Sequence, residues 1–124
     1  YKLNHLLDII LMTGIPSELV LIGDNFESDP TIYLTLTKIL KSELDPWTIW
    51  KSIIKEKNLK LTQKQNFLLL NKIFQVNNQL KKYQIFGNGP IQIRIFIRRC
   101  SKDDQLLIPE IFQEEKNIVS LYDF

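Results

Sequence analysis

The chain has 124 residues, of which 44% are hydrophobic and 24% charged, with a net charge of +2. That is the length and balance of one globular domain able to bury a core, and the charge is too small to imply nucleic acid or another polyanionic partner. The single cysteine, Cys100, excludes a disulfide framework and a cysteine metal cluster, and no apolar run approaches the roughly 20 residues that cross a bilayer.

Residues 2–13 place Leu3, Leu6, Leu7, Ile10 and Leu11 at helical spacing, and Gly14 and Pro16 end that helix. The continuous apolar run at 19–23 predicts a strand buried on both faces. Ser28 or Asp29 caps the next helix, Pro30 takes its first position, and Ile32, Leu36, Ile39 and Leu40 form its buried stripe. Asp45-Pro46 repeats the cap-and-proline signal for a helix over roughly 46–57. Thr62 opens a longer one to about Tyr83, and Gly87-Asn88-Gly89-Pro90 breaks it.

Ile91, Ile93, Ile95 and Ile97 then alternate with Gln92, Arg94, Phe96 and Arg98, the period of a strand. Residues 101–105 read as a polar loop, 109–115 as a helical turn and 118–122 as a last strand. The order implies α/β architecture with a parallel sheet. No signal peptide is read at the start, where Tyr1-Lys2-Leu3-Asn4-His5 lacks a basic-then-apolar layout.

The chemistry concentrates where the first strand ends. Gly23-Asp24 closes the apolar run and Asp29 follows five positions later, so a buried strand delivers two carboxylates to a loop at its carboxyl end. Two acids on one short loop suit a hard divalent cation such as Mg2+, which takes oxygen ligands and keeps waters beside one or two carboxylates. A strand-ending turn with a helix cap accounts for the same residues without any ligand.

Lys2 before a helix, Ile22-Gly23-Asp24, then Asp29-Pro30-Thr31-Ile32-Tyr33 and the later Ile95-Phe96-Ile97-Arg98 together resemble the second half of a haloacid-dehalogenase-superfamily phosphatase. Within it the pattern is nearest the Mg2+-dependent phosphatidate phosphatases of the actin-patch type. The resemblance covers about 2–41 and 91–99. It implies a partial, Rossmann-type parallel sheet formed by 1–41 and 91–124, with 42–90 as a helical insertion.

By that resemblance Lys2 and Asp24 are catalytic. Lys2 offsets charge at the phosphate, Asp24 holds Mg2+ with Asp29 as its outer partner, and Asn25 and Arg98 face the phosphate or headgroup. The activity implied is phosphoric monoester hydrolysis through an aspartyl-phosphate, on phosphatidate or a related lipid phosphate.

Several features depart from the family pattern. Asn25-Phe26 stands where Ser-Gly is usual, and Arg99 where an acid is common. The Asp-x-Asp-x-Thr nucleophile motif is not in this sequence, so the resemblance implies that an N-terminal half of the same domain supplies it. A cytoplasmic location with peripheral membrane contact, and no nucleic-acid partner, follow as expectations.

The alternatives are a phosphatase for phosphoinositides, phosphoproteins or soluble esters, a degenerate domain that binds lipid or protein, and a plain α/β interaction domain. His5 reads as a surface or packing residue and Cys100 as inert. The stripe Trp47, Trp50, Ile53 and Ile54, with Lys51, Lys55 and Lys57 nearby, suits an interfacial helix, but core packing is the favoured reading. Phe67, Leu70, Ile73, Phe74 and Leu80 of the long helix are its expected packing partners.

Overall fold

The computed structural model describes residues 2–24, 29–41, 43–56, 61–99, 112–113 and 117–122. Among these described residues four helices and three strands follow in chain order. They are α1 (Lys2–Thr13), β1 (Glu18–Asp24), α2 (Asp29–Lys41), α3 (Pro46–Ile54), α4 (Gln63–Ile85), β2 (Gln92–Arg98) and β3 (Val119–Tyr122).

Local chemistry sets the boundaries. The Gly14 N–H bonds the Ile10 carbonyl at 2.8 Å while Gly14 takes φ 93°, a left-handed turn that glycine adopts without a Cβ penalty. Asp45 caps α3 by accepting from the Thr48 N–H at 3.0 Å, with Pro46 opening the helix. A reciprocal capping box starts α4. Thr62 Oγ1 accepts from the Gln65 N–H at 3.2 Å, and Gln65 Oε1 accepts from the Thr62 N–H at 2.9 Å. α3 stops at Ile54, short of the expected 57, and α4 runs on to Ile85.

The sheet is parallel throughout, in the order β1-β2-β3, with Glu18 opposite Gln92 and Asp24 opposite Arg98. β3 joins in parallel register, Tyr122 opposite Arg98. Leu21, Ile93, Ile95 and Ile97 are buried on one face and share one core cluster with Leu3, Leu7 and Ile10 of α1. Leu36 and Ile39 of α2, Ile49 and Ile53 of α3, and Leu69, Ile73 and Val76 of α4 belong to the same cluster. α2 is enclosed nearly all round, so its buried threonines satisfy their hydroxyls on their own helix, Thr35 to the Thr31 carbonyl at 2.7 Å and Thr37 to that of Tyr33 at 2.9 Å.

The reverse face corrects the sequence reading of β1. Val20 and Ile22 are 48% and 64% exposed, so the strand is buried on one face and not on two. The right-handed sense that parallel crossovers almost always take accounts for this. In a parallel sheet ordered 1-2-3 both connections fall on the same side, and Phe112 from the second connection is indeed in the core. Among the described residues β1 pairs with β2 alone, so its other edge carries no strand.

The two helical stripes also divide. Ile49 and Ile53 of α3 are buried and Trp50 is half-buried, its indole N–H bonded to the Asn66 carbonyl at 2.9 Å. Trp47 and Ile54 are exposed. In α4 the inward residues are Leu69, Ile73 and Val76, whereas Phe67 and Phe74 point outward, contrary to their expected packing role. Among the described residues no helix is long and apolar enough to cross a membrane.

Candidate functional site

Four charged side chains meet at the carboxyl end of β1. Asp24 ends that strand, Arg98 lies opposite it at the end of β2, Lys2 opens α1 and Asp29 opens α2. The Asp29 carboxylate is 7% exposed and takes the Lys2 ammonium at 2.5 Å on Oδ1. Its Oδ2 lies 3.3 Å from the Asp24 backbone N–H, which donates to it. Arg98 Nη2 lies 3.5 Å from Asp24 Oδ2, at the long end of the hydrogen-bond range. Asp29 in the first turn of α2 also meets the positive end of that helix.

Two residues that carried no assigned role in the sequence hold this geometry. At Gly23 a Cβ would lie 2.4 Å from Asp29 Oδ2 and 2.8 Å from Asp29 Cβ, so only a glycine leaves room for the carboxylate. Tyr33 stands one helical turn after Asp29, donates its hydroxyl to the Ile22 carbonyl at 2.8 Å and places its ring 5.3 Å from the Lys2 ammonium. The i, i+4 spacing of Asp29 and Tyr33 on one helix is the sequence signal for their shared face.

Protonation follows from these contacts. Burial disfavours the charged form of Lys2, but the hydrogen bond and charge of Asp29 outweigh it and the net displacement is upward. The Tyr33 phenol is raised as well, first by burial and then by the negative charge of Asp29.

The donor set suits a hard cation, because it offers carboxylate oxygens without sulfur or imidazole. Asp24, with a side chain 31% exposed, has the access a direct ligand needs. Asp29 has one oxygen on Lys2 and the other toward the Asp24 N–H, which suits it to holding Asp24 in place from behind. Among the described residues no three His, Cys, Asp or Glu side chains gather. A Mg2+ ion held here would rest on few carboxylates and several waters, as that ion commonly does.

Asn25, Phe26 and Cys100 lie outside the described residues. His5 is exposed and Arg99 donates its backbone N–H to the Tyr122 carbonyl at 2.9 Å. A separate groove of about 600 Å³ is lined by Leu40, Leu44, Leu80, Tyr83 and Ile91. Ile91 precedes β2, so that groove lies at the opposite end of the strands from Asp24.

No protein-family description, no curated protein and no solved structure matches this chain.

Proposed function

We infer that this chain is the C-terminal part of a haloacid-dehalogenase-type phosphatase core. In this reading it hydrolyses phosphatidate or a related lipid phosphate, with Mg2+ held at Asp24. The observation that carries the reading is the cluster Lys2, Asp29, Asp24 and Arg98 at the carboxyl ends of parallel strands, with Gly23 making its space. Open α/β sheets bind ligands at that end. Phosphoryl transfer is catalysed mainly by positioned charge.

In this scheme Lys2 and Arg98 grip the phosphoryl oxygens. Lys2 has three N–H donors and gives one to Asp29, and the Arg98 guanidinium has five in a planar fork. Asp29 fixes the Lys2 ammonium and the backbone at Asp24, so both stay in place as charge develops on the phosphate. Bound Mg2+ supplies Lewis-acid neutralisation of that charge. The attacking aspartate comes from a segment outside residues 1–124, in the same polypeptide or another.

The outer edge of β1 supports a missing neighbour. Among the described residues β1 has one edge without a partner strand and an apolar open face, the arrangement that a further strand and its helices cover. A second reading, a degenerate lipid- or protein-binding domain, is favoured by one fact: both carboxylates already have cationic partners, Lys2 and Arg98. The test joins the chain to an upstream segment carrying Asp-x-Asp-x-Thr and measures phosphate release from phosphatidate, phosphoinositides and soluble esters, with Mg2+ and with chelator. Mg2+-dependent release from phosphatidate supports the first reading. Lipid binding with no release on any substrate supports the second.

A further inference from the structure

A helix that packs on a core with one face needs a single apolar stripe, and α4 has two. Its inner face buries Leu69, Ile73 and Val76. On the far side, at about 100° per residue, stand Phe67, Phe74 and Ile85, with Leu68 on the flank, exposed by 57%, 43%, 79% and 44%. Phe86, just past the helix, is 82% exposed and extends the line. Exposed apolar residues scattered singly need no explanation, but four along one helix with a fifth just past its end do.

The same face is basic. Lys64 and Lys82 lie within its angular range and Lys81 at its margin, and the sequence has no Asp or Glu between Glu56 and Asp103. Residues 46–90 hold eight lysines and one glutamate, a net +7, against +2 for the whole chain and therefore −5 for the remainder. One of these lysines, Lys72, is paired with Asp8 of α1 at 3.0 Å, and the asymmetry that remains is hidden by the total charge.

We propose that the outer face of α4 docks on an anionic lipid surface. The helix lies flat, with Phe67, Leu68, Phe74 and Ile85 in the headgroup–acyl boundary and Lys64, Lys81 and Lys82 toward the anionic headgroups. Its 23 residues span about 35 Å, enough to hold the molecule in one orientation. Charge complementarity selects an anionic partner, and the row of large apolar side chains selects a membrane over nucleic acid. Residues 46–90 also contain no arginine, the residue that reads nucleic acid through its planar fork. The proposal rests on this face alone and does not depend on the phosphatase reading.

Vesicle flotation of the full chain tests it. The chain is expected to float with phosphatidylcholine vesicles containing phosphatidylserine, to stay behind with phosphatidylcholine alone, and to dissociate as salt is raised. Lys64→Gln, Lys81→Gln and Lys82→Gln together are expected to weaken partitioning on the order of a hundredfold, from about 1 kcal/mol per lysine near the surface. Phe67→Ser with Phe74→Ser is expected to abolish flotation while circular dichroism is unchanged. Phe86→Ser, outside the helix, is expected to weaken it without touching the fold. Equal flotation with neutral vesicles overturns the proposal. So does flotation indifferent to both phenylalanine variants, or an RNA oligonucleotide bound equally by the wild type and those variants in place of vesicles.

Discussion

Gly23 and Asp29 occupy interlocking space: the missing side chain of one is where the carboxylate of the other sits. An alanine methyl at position 23 would stand 2.4 Å from Asp29 Oδ2. The glycine therefore serves packing, and through Asp29 it sets the positions of Lys2 and of the Asp24 backbone.

Gly23→Ala is accordingly expected to displace the Asp29 carboxylate and to cost about 1–3 kcal/mol of stability, the usual range for overpacking. Urea unfolding checks the loss. A variant as stable as wild type would show that the carboxylate relocates without penalty.

Lys2 and Asp29 are expected to be coupled energetically. The double cycle Lys2→Met with Asp29→Asn should give an interaction of about 1 kcal/mol, held down because the lysine side chain is 44% exposed and screened by solvent. Additive effects in denaturant melts would contradict the pairing.

Stability is expected to fall at alkaline pH. The pKa of Lys2 in the folded state lies above its ordinary 10.5 and that of Tyr33 above 10.0, so the folded chain keeps protons that the unfolded chain releases. This contribution is fully present below the ordinary values and is lost as pH rises through the folded ones. Tyr33→Phe should flatten part of the decline in unfolding free energy above about pH 10. A decline of equal slope in that variant would remove Tyr33 from the account.

The fold was largely legible in the sequence because its signals are local. Asp45-Pro46 and Thr62 cap their helices, and the alternation at 91–98 sets β2. Three things depended on what surrounds each element. The apolar run of β1 looked buried on both faces, yet only contact with helices decides that, and Ile22 is exposed. In α4 the sequence pattern turns Phe67 and Phe74 inward, whereas the helix's packing leaves both exposed. At the site, the residue types were readable but the division of labour was not. That Asp29 turns to Lys2 and Gly23 follows from the approach of α2 to β1, a relation across the chain.

The open face of β1 is expected to drive association when the chain is alone. Sedimentation velocity should show mass rising with concentration, and Ile22→Lys, at an exposed position on that face, should return it to monomer. A wild-type chain that remains monomeric across the concentration range would contradict the missing neighbour.

The most direct test of the phosphatase assignment is Asp24→Asn in the chain joined to its nucleophile-bearing segment. The side chain keeps its size but loses the charge that would hold Mg2+ beside Arg98. The expected result is loss of Mg2+-dependent phosphate release from phosphatidate, on the order of a hundredfold or more, with the unfolding midpoint changed little. Full activity retained in that variant would contradict the account.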